Sequence, residues 1–275
     1  MNISKDKLGK DCSGLTKKRL FLLDMDGTIY KEDTLFAGVR DFINHIINVN
    51  GKYVFITNNS SKSVSDYVLK VNKLGITANE ENFFTSSQAT VLYLKEHHDK
   101  EEIYCMGTQS FVNELKNSGI NVVTEVSKTA EVVLVGFDTE LTSQKIRNTC
   151  EMLKEDVAYI ATNPDFACPV NFGFVPDCGA ICKMLSYAAK KEPIFIGKPE
   201  PMMLEYVINE SGFTKEETVI IGDRLYTDIA SGINAGVTGV CVLSGETKID
   251  EIHSGNIRPD FVFDSVKDIF EMLKN

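Results

Sequence analysis

The sequence is short of the features that mark several large function classes. It has no basic cluster: 29 Lys and Arg against 39 Asp and Glu leave a formal net charge of −10. That balance argues against nucleic acid or an anionic membrane as a partner, while a locally positive pocket for a small anionic substrate remains compatible with it. No run of about 18 apolar residues occurs, and the first sixteen residues, MNISKDKLGKDCSGLT, lack the apolar stretch of a signal peptide. Neither a membrane span nor export is expected, and this opening segment reads as a loose polar arm. There is no GxGxxG and no GxxxxGK[ST], so dinucleotide and P-loop readings fall away. The seven cysteines (Cys12, Cys105, Cys150, Cys168, Cys178, Cys182 and Cys241) contain no CxxC and no Cys/His set at zinc spacing. Free thiols in a reducing, cytoplasmic compartment are the expectation. Cys178 and Cys182 can share a helix face, but they lack further ligands for a metal.

What is there is an alternation of short apolar runs with longer helical stretches. Candidate strands fall at 20–23, 53–57, 103–106, 132–135, 158–161, 194–196, 219–221, 239–242 and 261–263. They are rich in Val, Ile and Phe and mostly unalternated, as strands covered on both faces should be. Helical patterns lie between them, several closed by glycine, as at Gly51, Gly75, Gly119 and Gly236. This rhythm predicts an α/β fold with a parallel sheet. At 275 residues the chain is long for one core.

In open parallel sheets chemistry gathers at the carboxyl edge of the strands. Four strands are followed there by patterned polar clusters: DMDGT after Leu23, TNNSS after Ile56, GKPEP after Ile196 and GDRLYTD after Ile221. Asp24 and Asp26 alone fit a capped turn, with Gly27 supplying a positive φ. Together with Asp223, Asp228 and Lys198 they become a carboxylate-rich site suited to Mg²⁺, a hard ion that prefers oxygen ligands. Thr57, Asn58, Asn59 and Ser60 precede a helix, where hydroxyls and N–H groups make an anion cradle. A carboxylate nucleophile, a second carboxylate, Mg²⁺, a lysine and a phosphate cradle are the components of phosphoryl transfer through an aspartyl-phosphate. Arg224 beside Asp223 is placed either to touch phosphate or to brace that loop, and bracing is the expectation. The four histidines read as solvated or helix-end residues.

The ordered set DMDGT, TNNS, GKP and GDRLYTD resembles the haloacid dehalogenase-like superfamily of phosphatases, most closely its NagD-like, p-nitrophenylphosphatase branch. GDRLYTDI is the most specific string, and GKPEPMML, ATNPD and GVTGVCVLSGET support it. The likeness runs from about Lys18 onward. It implies a doubly wound, Rossmann-like core with an inserted α/β cap, Mg²⁺ as cofactor, and these roles. Asp24 attacks phosphorus and ligates the metal. Asp26, its pKa raised by neighbouring carboxylates, protonates the leaving alkoxide and later takes a proton from water, and its backbone carbonyl ligates the metal. Thr57 and Asn58, with Asn59 beside them, hold phosphoryl oxygens. Lys198 offsets charge between Asp24 and the phosphate. Asp223 ligates the metal, and Asp228 supports its water shell or positions Lys198.

The expected layout is a polar arm over 1–16, a core over 17–84 and 192–275, and a cap over 85–191 inserted between the second and third motifs. In YIATNPDF of the cap, Asn163 and Asp165 are candidates for reaching the substrate, although Asn-Pro-Asp also makes a good turn. GFVPDCGAI departs from the branch, with Asp177 where glycine is more usual. The resemblance implies hydrolysis of a small phosphorylated metabolite such as a sugar phosphate, a nucleoside monophosphate or phosphoglycolate. A phosphotransferase or mutase, or a non-catalytic phosphometabolite sensor, are the alternatives on the same scaffold. It also implies a homodimer formed through the cap.

Overall fold

The computed structural model describes residues 5–170 and 172–274. Residues 1–4 of the expected arm, residue 171 of the expected cap and residue 275 lie outside them. The chain divides into two compact units. The first comprises Met1–Thr57, Val68–Phe84 and Lys198–Asn275, and the second Asn58–Tyr67 and Thr85–Gly197.

The first unit is built on a six-stranded sheet in the spatial order Phe83–Thr85, Lys52–Thr57, Leu20–Leu23, Thr218–Gly222, Thr238–Val242, Phe261–Phe263. Numbered along the chain, that is 3-2-1-4-5-6, the doubly wound order. Leu20–Leu23 is central, running parallel to Thr218–Gly222 on one side and Lys52–Thr57 on the other, with Leu20 in register with both Thr218 and Lys52. All four of its side chains are buried, because helices cover both faces and alternation would put a polar group in each core. The topological switch lies between Leu20–Leu23 and Thr218–Gly222, so the residues that follow these two strands open onto the same crevice.

The second unit has its own five-stranded parallel sheet, ordered Val122–Val123, Glu102–Met106, Ala130–Val135, Ala158–Ala161, Ile194–Phe195. In chain order this is 2-1-3-4-5, with its switch between Glu102–Met106 and Ala130–Val135. Its core gathers Tyr104, Val133, Tyr159, Ile181 and Leu185.

Three expectations change. The strand expected at 194–196, within the core, is Ile194–Phe195 and pairs with Ala158–Ala161 (Ile194 opposite Ile160), so the second unit extends to Gly197 instead of ending at 191. Residues 58–67 also join it; periodicity finds elements but not which sheet each one joins. The opening segment is not loose from Lys5 onward. The Lys7 N–H donates to Val262 O at 2.9 Å, the Val262 N–H donates to Asp6 Oδ2 at 3.0 Å, and Cys12 and Leu15 are buried. Phe261–Phe263 is an edge strand whose outward backbone groups need partners, and this segment supplies them. The sequence gives no sign of the antiparallel hairpin Ala167–Val170/Gly173–Pro176; Pro169, Gly173 and Pro176 hide its strands from a hydrophobic pattern.

Candidate active site

Asp24 is the residue that follows Leu20–Leu23, and its N–H donates to Ile221 O at 2.9 Å across the switch. Beyond it the chain turns sharply, with the N–H groups of Thr28, Ile29 and Tyr30 all directed to Met25 O. Gly27 adopts φ +90°, and a Cβ there would lie 2.5 Å from Asp223 Oδ2, so both its backbone and its missing side chain are required. Asp26 is half-buried in this turn.

Lys198 is 2 % exposed, and its ammonium has three acceptors: Asp228 Oδ1 at 2.6 Å, Asp24 Oδ1 at 2.7 Å and Ile56 O at 3.0 Å. Burial works against its charge, but Asp228 and Asp24 outweigh burial and hold its pKa above the ordinary lysine range. Carboxylate oxygens of Asp24, Asp223 and Asp228 lie within 4.8 Å of one another. Burial first, then the charge of Asp24, pushes the carboxyls of Asp223 and Asp228 up. When all three are ionised, the carboxylates outnumber by two the single ammonium that touches them. At about 4 Å and an effective dielectric of about 20, each like-charged pair costs roughly 4 kcal/mol.

The donors of this arrangement fit Mg²⁺. They are all hard carboxylate oxygens, and Asp223 Oδ1 is buried with no hydrogen-bond partner among the described residues. Its other oxygen is fixed. The Glu246 N–H donates to Asp223 Oδ2 at 2.6 Å, and a Cβ on Gly245 would sit 1.9 Å from that same atom. The loop that carries Glu246 is tied down by Ser244 Oγ donating to Gly27 O at 2.7 Å and by the Arg224–Glu246 ion pair at 2.8 Å. Arg224 thereby links the turn after Thr218–Gly222 to this loop. Asp228 stands on a π-helical turn, Leu225–Ile229, and accepts from the Arg224 N–H through Oδ2 at 3.1 Å. A Cβ on Gly222 would meet Asp228 Oδ2 at 2.4 Å. Sequence reading gave no role to Gly222, Ser244, Gly245 or Glu246. Gly222 opens the GDRLYTD string, and the other three stand in the SGET that ends GVTGVCVLSGET.

Thr57 ends its strand buried at 4 % exposure. The remaining candidates fall in the second unit. Asn58 Nδ2 donates to Asp165 Oδ2 at 3.2 Å, and Asn163 Nδ2 donates to Asn58 O at 2.7 Å. Asn163 and Asp165 are 0 % and 4 % exposed. Asn59 Oδ1 accepts from the N–H and hydroxyl of Ser61. Asp177 caps the helix Cys178–Ala189 at φ −99°, a backbone any residue adopts, so the usual glycine is not needed there. The Cys178 and Cys182 sulfurs are 4.0 Å apart, and all seven cysteines are free thiols. No helix among the described residues is long and apolar enough to cross a membrane.

Comparison with known proteins agrees with the geometry. A haloacid dehalogenase-like hydrolase family model matches residues 21–121, and a second, HAD-hydrolase-like model matches residues 195–269. An acid sugar phosphatase of Staphylococcus saprophyticus is 31% identical over 256 residues, 93% of this chain and 97% of that protein. The crystal structure of 4-nitrophenylphosphatase from Thermotoga maritima superposes with a TM-score of 0.89 at 33% identity, covering 94% of this chain and 99% of that one. NagD from E. coli K-12 gives a TM-score of 0.82 at 28% identity, covering 91% and 98%.

Proposed function

The chain belongs to the haloacid dehalogenase-like hydrolases as a NagD-like phosphatase, and from that premise we propose that it is a Mg²⁺-dependent phosphomonoesterase acting on a small sugar phosphate through an aspartyl-phosphate on Asp24. The observation that carries this reading is the Lys198 ammonium, buried between Asp24 and Asp228 and beside Asp223 at the switch of the sheet. The acid sugar phosphatase relatives support the substrate class.

In this reading Thr57 and Asn58 receive the phosphoryl oxygens. Asp24 enters with one oxygen held by Lys198, so its carboxylate is oriented before substrate arrives. It attacks phosphorus and the ester P–O bond breaks. Asp26 gives its proton to the leaving alkoxide. Asp26, now a carboxylate, takes a proton from water as that water attacks phosphorus. The bond from phosphorus to Asp24 breaks, releasing inorganic phosphate and restoring the carboxylate. Asp24, Asp223, Asp228 and the Asp26 backbone carbonyl would hold Mg²⁺, which when bound would compensate the phosphate's negative charge. Lys198 adds to that compensation without a proton of its own being transferred.

Asp24→Asn tests the nucleophile. Turnover of p-nitrophenyl phosphate should fall by about 10⁴-fold or more, and the acid-stable phosphoryl label trapped on the parent protein should disappear. Retention of full activity would end the assignment. Ranking phosphate esters by kcat/KM then places the substrate, with sugar phosphates expected to lead.

A further inference from the structure

We propose that Asn163 and Asp165 are positioning residues for the phosphoryl-binding loop, acting through Asn58, and that they do not contact the organic part of the substrate. The proposal rests on the phosphatase reading above, and on geometry wholly within the second unit. Residues 58–67 belong to that unit, and they occupy the carboxyl edge of its sheet at the strand ends where a ligand would otherwise bind. Ser60 Oγ accepts from the Phe137 N–H at 2.9 Å, after Ala130–Val135, and pairs with Thr162 Oγ1 at 2.8 Å, after Ala158–Ala161. Thr108 Oγ1, after Glu102–Met106, donates to Ser61 O at 3.1 Å.

Asn58 is gripped most firmly. Its carbonyl accepts twice, from Ser86 Oγ at 2.6 Å and Asn163 Nδ2 at 2.7 Å. Two donors on one carbonyl oxygen fix the plane of the Asn58–Asn59 peptide. Asp165 Oδ2 takes the Asn58 side-chain amide at 3.2 Å. Asn163 Oδ1 in turn accepts from the Asp165 N–H at 3.0 Å, so the two bracing residues also hold each other. Both amide atoms of Asn163 are thereby committed within the protein, and the residue is fully buried. Two glycines make room. A Cβ on Gly197 would stand 2.5 Å from Asn58 Oδ1, and one on Gly179 would stand 2.2 Å from Pro164 O. The turn at 163–165 is thus pressed against the start of the Cys178–Ala189 helix, where the Gly179 N–H donates to Asp165 O at 2.8 Å. Asn58 is the residue after Thr57 in the chain, and the hydrogen bonds that hold its peptide and its side-chain amide set the start of this loop.

A residue that touches the substrate's organic part and one that orients the phosphate loop make different predictions. A double-substitution cycle reads the difference. Asn58→Ala, Asp165→Ala and the pair are compared with the parent for competitive inhibition by inorganic phosphate, and for kcat/KM on p-nitrophenyl phosphate and one sugar phosphate. Asp165→Ala is expected to weaken phosphate inhibition about tenfold and to lower kcat/KM by the same factor on both esters. Adding it to Asn58→Ala should cost little more. Asp165→Asn, which still offers an oxygen to Asn58 Nδ2, should restore most of the loss. Additive effects, unchanged phosphate inhibition, or a loss confined to the sugar phosphate would overturn the proposal. If Asp165→Ala does not fold, Asp165→Ser takes its place in the cycle with the same outcomes. A parent protein that neither hydrolyses the esters nor binds phosphate would overturn both this inference and the phosphatase reading, whereas additivity in an active enzyme overturns this inference alone.

Discussion

At the scale of single residues, the site depends on side chains that are absent as much as on those present. Gly27 and Gly245 both press against the Asp223 carboxylate, and their missing methyl groups let the Glu246 N–H close on Oδ2, while Oδ1 has no hydrogen-bond partner among the described residues. Gly245→Ala would put a Cβ 1.9 Å from Oδ2, so Asp223 or the loop must move. The expected result is Mg²⁺ affinity weakened about tenfold or more, read by titration calorimetry, with a smaller rise in Tm on adding Mg²⁺. An unchanged dissociation constant would mean that Asp223 is not a ligand, or that the loop yields without cost. Lys198 shows the opposite economy. A buried ammonium is normally unfavourable, but here three acceptors within 3.0 Å account for all its protons.

Among the elements, the helix Gln109–Asn117 carries a charge problem of its own. Glu114 Oε2 is buried without a hydrogen-bond partner among the described residues. Its carboxyl is pushed up to about 7, first by burial and then by Asp66. Asp66 moves the other way: burial raises it, but hydrogen bonds from Ser63 and Ser110 prevail and keep it ionised. The consequence for stability follows from proton uptake. Below the ordinary glutamate value of 4.5 both the folded and unfolded chains hold the Glu114 proton. Between that value and about 7 only the folded chain does, so stability falls as pH rises through this window and then levels off. Glu114→Gln should remove that slope. At about pH 8 it should be more stable than the parent by on the order of 2 kcal/mol, and near pH 5 about equal. Urea midpoints at the two pH values check this, and parallel curves for parent and variant would refute it.

For the whole molecule, each unit has its own sheet and its own buried cluster, and the carboxylates proposed to hold Mg²⁺ all lie in the first unit. A cation at about 100 times its dissociation constant stabilises the state that binds it by about 2.7 kcal/mol, or about a hundredfold in an opening equilibrium. Hydrogen exchange should therefore slow by that order for amides in Leu20–Leu23 and Thr218–Gly222 on adding Mg²⁺, with far less change in Ala130–Val135 of the second unit. Equal slowing in both would mean that the units open as one.

Much of this was legible in the chain itself. Asp24, Thr57 and Asp223 could be placed at strand ends because each follows an apolar run too continuous for anything but a covered strand, and a parallel sheet collects such ends on one edge. The order of six strands, the pairing of 194–195 with Ala158–Ala161, and the reach of Asn163 to a carbonyl 105 residues earlier were not legible, because no local pattern records which neighbour an element will have. The same holds for Gly222 and Gly245, whose importance exists only once Asp228 and Asp223 are packed against them. By itself, then, the sequence determined which chemical groups stand at the ends of strands, since burial and backbone pairing act over a few residues. Only the tertiary structure decided which of those groups share a charge, a loop or a proton, since that depends on how distant segments are brought together.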